Sequence, residues 1–251
     1  MKQPPPPSPR RKPAVGVGSA LGVSGEDLDA RRAERLKTVA LLQTGRLPLQ
    51  VVAVAEHAEA IAETAVREAM ARQPPHAPPA CREGCAWCCH NTVGTAAPEV
   101  FRITAYLRQT LTPEQLCAAQ ARIKALTEQR QVLRRDRRSR AHLPCALLVE
   151  DRCSIYPVRP LTCRGYNSSD ARQCERSLEP GSQVLVPSYA PQHRLCTFVL
   201  DGMRAGLEES RLDGELLELY RGATSFSEHH GGIALSSPVY SVRAVRKGTP
   251  V

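Results

Sequence analysis

Four cysteines fall between positions 81 and 89, in the segment CREGCAWCCH that ends at His90: Cys81, Cys85, Cys88 and Cys89. A second set follows at Cys145, Cys153, Cys163 and Cys174. Thiols gathered in this way serve disulfides, a metal site or redox catalysis. Disulfides fit badly. Vicinal Cys88 and Cys89 are expected to point in divergent directions and could not both bridge locally, and no secretory signal is recognisable. If the segment is helical, Cys85 shares a face with Cys88 and Cys89, three and four positions on. Cys81 then lies a turn back, or in a feeding loop made tight by Gly84. Such a nest suits zinc or an iron–sulfur cluster, and amides at a helix N-terminus would help the thiols deprotonate.

The second set is embedded in PCALLVEDRCSIYPVRPLTCRGY, Pro144 to Tyr166. Together the two segments read Cys81–Gly84–Cys85–Cys88–Cys89, Pro144–Cys145, and Cys153–x–Ile155–Tyr156–x–x–Arg159–Pro160–x–x–Cys163–Arg164. This pattern resembles the YkgJ-type cysteine-cluster family, the CxxCxxCC zinc- or iron-chelating domain, to which flagellin lysine N-methylase is a distant relative. The resemblance covers Cys81 to Cys174 and implies a metal centre; it names no reaction. The three-residue gap between Cys81 and Cys85 departs from many relatives, which have two. The expected ligands are Cys81, Cys85, Cys88 and Cys89 from one segment and Cys145, Cys153, Cys163 and Cys174 from the other.

The elements that position these thiols are expected to be helices. Aromatic residues make up 4% of the chain against 42% hydrophobic residues. The core must therefore use Ala, Leu and Val, which let helix axes approach closely. Residues 26–44 read as a first helix, with Glu26, Asp27 and Asp29 at its positive end, Gly45 as its stop, and Leu28, Leu36 and Val39 as its apolar side. Pro48 suits the first turn of a second helix, whose 3.6-residue period carries from Val51 to about Arg72. His57 within it reads as a surface or satisfied interfacial residue, a metal role being the alternative. QPPHAPPA, residues 73–80, cannot be helical and delivers the chain to the cysteines.

Pro98 opens a helix to about Gln109, with Val100, Phe101, Ile103, Tyr106 and Leu107 apolar. The capping box Thr112–Pro113–Glu114–Gln115 starts the longest helix, to about Arg138, with Leu116, Ala119, Ile123, Leu126 and Leu133 on one stripe. Cys117 beside that stripe reads as a core thiol. Residues 144–160 should be irregular with short extended pieces and a turn at Asp151–Arg152, since the positions before Pro157 and Pro160 disfavour helix. Arg159 and Arg164 either donate hydrogen bonds to thiolates from outside the ligand set or form salt bridges that fix this loop. Asn167 to Asp170 should start a short helix leading to Cys174, and residues 177–191 a polar loop. Leu195, Phe198, Val199, Met203 and Leu207 mark another amphipathic helix, followed by one at about 213–221 with Leu216, Leu217 and Tyr220. Cys196 reads as a core thiol, with ligation the alternative; His90 reads as an outer or spare ligand.

The expected architecture is an all-α domain over residues 26–222, wrapped round a cysteine-rich metal centre. A disordered basic, Pro-rich tail at 1–25 and a disordered tail at 223–251 flank it. The net charge of +9 owes much to those tails. Six arginines between 130 and 140 form an anion-binding face or a solvated helix end; without interleaved aromatics, nucleic acid is disfavoured. No run of eighteen apolar residues exists, so no membrane span and a cytoplasmic location are expected. No G-x-S-x-G, HExxH or convincing nucleotide loop appears. Two readings stand. One is an iron–sulfur protein, or a zinc protein, acting in redox chemistry or in modification of a protein substrate. The other is a non-catalytic, zinc-stabilised interaction module. Of the cofactors, an iron–sulfur cluster is preferred to zinc; eight cysteines exceed one tetrahedral zinc site and could serve two four-cysteine sites, or one site plus spare thiols.

Overall fold

The computed structural model describes residues 23–82, 84–133 and 141–219. Ser24 opens the first helix with a reciprocal cap: its hydroxyl accepts the Asp27 N–H, and Asp27 Oδ2 accepts the Ser24 N–H at 2.8 Å. Helix α1 runs Gly25–Thr44 and α2, started by its proline, Pro48–Arg72. Then follow α3 (Ala97–Thr110), α4 (Pro113–Val132), α5 (Leu161–Gly165), α6 (Ala171–Arg176) and α7 (Ala190–Glu209). The expected capping box at Thr112 is present. Two small antiparallel ribbons complete the fold: β1 (Gly94–Thr95) with β4 (Leu217–Glu218), and β2 (Leu148–Val149) with β3 (Arg152–Cys153). The turn between β2 and β3 holds Glu150 and Asp151 at φ 51° and 59°, the left-handed pair that matches a two-residue hairpin to strand twist.

The helical expectation is met, and the core falls into two clusters. In the first, α1, α2 and α7 bury Leu42, Val51, Val54, Ala58, Val199 and Met203. Glycines set the spacing: a Cβ on Gly202 would stand 2.3 Å from the Arg31 carbonyl oxygen, and one on Gly206 2.6 Å from Thr38 Cβ. Helix α7 thus meets α1 at backbone distance. In the second cluster, Ile103 and Leu107 of α3 and Leu126 of α4 pack with Leu147, Ile155 and Val158 of the irregular segment. Cys145, Cys153 and Cys163 lie against this cluster.

The inward face of α1 is not the apolar one expected. Leu28 and Leu36 are half exposed, whereas Asp27, Glu34 and Thr38 are buried beside Ala30 and Leu42. The close approach of α7 selects short side chains, and Glu34 is held by Thr38 Oγ1 at 2.9 Å and His57 Nδ1 at 2.7 Å. His57 is therefore a satisfied interfacial residue. The other corrections fall on α4 and on the final expected helix. Helix α4 ends at Val132, short of Arg138. Its Arg130 is buried rather than solvated, because the β4 segment crosses there and Glu218 takes Nη1 at 2.6 Å. Cys117 is exposed, not a core thiol, since α4 turns Ala119 and Leu126 inward. In place of a helix at 213–221, Leu217 and Glu218 pair with β1; Leu219 N–H continues the contact to the Val93 carbonyl at 3.0 Å. The tail expected at 1–25, as far as residue 22, the remaining arginines at 134–140 and everything beyond 219, with the tail expected at 223–251, lie outside the described residues. Among the described residues, no helix is long and apolar enough to cross a membrane.

Candidate metal centre

The proline spacer runs without regular structure and is tied down at its end, where the Ala80 N–H donates to the Ser168 carbonyl at 2.8 Å. Cys81 and Cys85 then sit on a loop, not a helix, because Gly84 at φ 82° takes the chain through a left-handed turn. Only Trp87–His90 forms a turn of 3₁₀ helix. The expected shared helical face is replaced by this loop and turn. The neighbouring Cys89 thiol brings Cys88 down to about 7, with a backbone N–H and the Arg159 charge assisting against the effect of burial. The Cys88 thiol, burial and the charge on Cys88 together push the Cys89 thiol far up.

The second set is brought to the first by one backbone bond: the Cys145 N–H donates to the Cys89 carbonyl at 2.9 Å. The β2–β3 ribbon sets Cys153 opposite Leu148, and the Ser154 N–H and hydroxyl both donate to the Leu147 carbonyl. Cys163 stands on α5, whose first N–H, from Leu161, donates to Glu99 Oε1 at 2.7 Å. Glu99 Oε2 also accepts the Ala96 N–H at 2.8 Å and the Thr95 hydroxyl at 2.9 Å. Burial raises the pKa of this enclosed carboxyl, and the three donors oppose the rise. Cys174 lies on α6, capped by Asp170 Oδ1 and packed on the Trp87–His90 turn.

The two arginines play different parts. Arg164 is buried, paired with Glu59 at 3.2 Å and with Glu63, and donates to the carbonyls of Pro157 and Arg159 at 2.6 and 2.9 Å. It braces the cysteine loop against α2. Arg159 stacks on the Tyr156 ring, 4.0 Å from its centroid, and its charge favours the thiolate forms of Cys88 and Cys153. Arg159 Nε is buried with no hydrogen-bond partner among the described residues.

The eight thiols gather as two adjoining groups that meet at Cys88. Cys81, Cys85, Cys88 and Cys174 line one cleft. Cys163 feels Cys145, Cys88 and Cys153, and together with burial they push its thiol well up. Burial likewise raises Cys81 and Cys153, and neighbouring thiolates add to it. All ten cysteines of the chain are free thiols. Cys196 is buried on α7, where desolvation lifts it to about 12, and His90 Nδ1 bonds the Ala86 carbonyl at 3.3 Å.

Residues 80–181 match the CxxCxxCC family model, "Putative zinc- or iron-chelating domain". The match spans less than half of the chain and takes in all eight clustered cysteines. No curated protein and no solved structure matches the chain. Metal binding is what the CxxCxxCC match supports, and the donor chemistry fits it. Eight thiols, soft donors by type, lie in adjoining groups, and a buried guanidinium nitrogen lacks the partner that a sulfur-rich anion would give it. Among the described residues, no three His, Cys, Asp or Glu side chains converge to hold an ion as they stand. The residues that sequence reasoning passed over are the acidic ones that position this segment, Glu59, Glu63 and Glu99. Glu99 had a readable signal, lying just inside a proline-started helix where a carboxylate caps the first turn.

Proposed function

We propose that this protein holds an iron–sulfur cluster, or zinc in its place, on thiols drawn from both cysteine sets, and that it serves in redox chemistry or in modification of a protein substrate. The observation that carries the reading is the Cys145 N–H to Cys89 carbonyl bond, which seats the second set against the first. The proposed ligands are Cys81, Cys85, Cys88, Cys89, Cys145, Cys153, Cys163 and Cys174. Eight thiols exceed the four that one tetrahedral zinc site or one cluster needs, so they can serve two four-cysteine centres or one centre with spare thiols. When bound, a cluster would supply one-electron transfer; zinc would supply cohesion between the loops and, with an open position, a Lewis acid for modification of a substrate.

The chain's own residues act around the ligands. Arg159 faces the thiolates with its charge and its unpartnered Nε–H. Arg164 and Glu99 hold the loop and helix that present Cys153 and Cys163. Nucleic acid and membrane are not part of this reading. Ten free thiols suit a reducing compartment, here the cytoplasm.

Anaerobic purification followed by metal and acid-labile sulfide analysis tests the proposal. Iron with stoichiometric sulfide supports it. Zinc without sulfide favours the interaction module, and a protein that takes neither metal overturns both.

A further inference from the structure

We infer that Arg159 is the counter-ion of the metal centre: its Nε–H donates to a ligand sulfur, and its charge governs how firmly the thiols hold metal and how readily a bound cluster accepts an electron. The inference rests on the proposed metal reading and deepens it by one residue. Other buried charges around the cysteine segment are answered by the chain itself. Arg164 is paired with Glu59 and Glu63, and Arg102 with Glu56 and Glu59. Among the described residues, no carboxylate pairs with Arg159, and its Nε is buried without an acceptor. A guanidinium nitrogen withdrawn from water in this way costs free energy unless an anion answers it. The Tyr156 ring covers one face of the guanidinium, 4.0 Å from Cζ, and leaves the in-plane Nε–H unanswered.

The backbone that carries this side chain is fixed on both sides. The Val158 N–H donates to the Ile155 carbonyl at 2.9 Å. Arg164 donates to the carbonyl of Arg159 itself at 2.9 Å and to that of Pro157 at 2.6 Å. The guanidinium is therefore held in place before metal arrives, which lowers the entropy lost on binding. Thiols of both sets surround it. Its charge acts on Cys88 of the first and Cys153 of the second, and Cys153 packs with Cys145 and Cys163 on the cluster that contains Val158. A zinc ion held by four thiolates carries net negative charge, which is the anion that Arg159 lacks. Hydrogen bonds from outside the ligand set orient ligands and strengthen metal binding. Around a cluster, hydrogen bonds to sulfur and nearby charge set the reduction potential.

The full-length protein and its Arg159→Gln, Arg159→Lys and Arg172→Gln variants are purified anaerobically and assayed for iron, zinc and sulfide. Metal retention is read against EDTA. Where iron and sulfide are present, the midpoint of a dithionite titration is read from visible absorbance; each electron taken up adds one negative charge. Arg159→Gln is expected to release its metal at about tenfold lower EDTA. With a cluster bound, it should also lower the midpoint by about 59 mV, a tenfold change in the one-electron equilibrium. Arg159→Lys keeps the charge without the flat fork and should recover part of both effects. Arg172→Gln removes an exposed charge two residues from Cys174 and should change neither. Metal-free Arg159→Gln should melt no lower than the metal-free parent, because no anion is lost there. If Arg159→Gln does not fold, Arg159→Met takes its place. Retention equal to the parent's, an equal effect from Arg172→Gln, or a metal-free variant that melts well below the metal-free parent overturns the inference. A parent protein that takes no metal refutes the metal reading; one that holds metal as tightly without Arg159 refutes this inference alone.

Discussion

Glu99 accepts the N–H of Leu161 across 62 residues of sequence, 2.7 Å from oxygen to nitrogen, and so ties the first turn of α3 to the first turn of α5. The same carboxyl holds the Ala96 N–H and the Thr95 hydroxyl. The position of Cys163, two residues beyond Leu161, depends on this buried acceptor. Glu99→Ala leaves three donors without it and should destabilise the fold by roughly 3 kcal/mol or more, at about 1–3 kcal/mol for each buried group left unpaired. Urea unfolding followed by circular dichroism measures this. A loss under about 1 kcal/mol would show that the donors find other partners.

The glycines of α7 make a sharper claim about shape. Gly202→Ala places a methyl group 2.3 Å from the Arg31 carbonyl oxygen, and neither backbone can yield without parting α1 from α7. Overpacking of this kind costs on the order of 1–3 kcal/mol, occasionally more. Gly25→Ala is the control, since nothing lies within 4 Å of a Cβ there. It should leave stability unchanged or slightly improved. Equal melting temperatures for the two variants would refute the close contact.

The Glu34–His57 pair gives the fold a pH dependence of definite sign. Desolvation raises Glu34 from 4.5 to about 8, and burial lowers His57, so both shifts favour the neutral forms of the two groups that meet at 2.7 Å. A carboxyl whose folded pKa lies above its unfolded value stabilises fully below the unfolded pKa. That contribution is lost as pH rises from about 4.5 to about 8. His57 acts at the other end, where its reluctance to charge costs stability as pH falls below 6.5. Glu34→Gln keeps a neutral donor and should flatten the decline between pH 5 and 8. Thermal melts across that range check it; parallel curves for the variant and the parent protein would sink the idea.

Single cysteine substitutions separate ligand from bystander. Cys88 stands in both thiol groups, so Cys88→Ala should remove nearly all bound metal, and Cys85→Ala or Cys163→Ala should each remove most of it and loosen the domain. Cys117→Ala, at an exposed position, should keep full metal and change stability by less than about 0.5 kcal/mol. Metal analysis of each variant decides. Retention of half the metal in Cys163→Ala, with the first set still protected from alkylation, would mean two independent ions.

Much of this arrangement is written locally in the chain. Pro48, Pro98 and the Thr112 capping box place the starts of α2, α3 and α4, because a fixed φ or a satisfied N–H acts within one helical turn. Pro157 and Pro160, which follow Tyr156 and Arg159, likewise kept long helix out of the segment that carries Cys153, although Cys163 lies in the short helix α5 rather than on a loop. What the sequence could not announce is which faces would meet. Leu28 and Leu36 had the period of a buried stripe, yet α1 turns Glu34 and Thr38 inward, since Gly202 and Gly206 draw α7 too close for leucine and His57 on α2 supplies the partner for Glu34. Arg130 looked like a solvated helix end until the Glu218 segment crossed it. The assignment of Arg164 to bracing also waited on the carboxylates of α2, about a hundred residues earlier in the chain. Periodicity and caps are short-range, whereas the burial of a charge is decided by partners that only tertiary packing brings within reach.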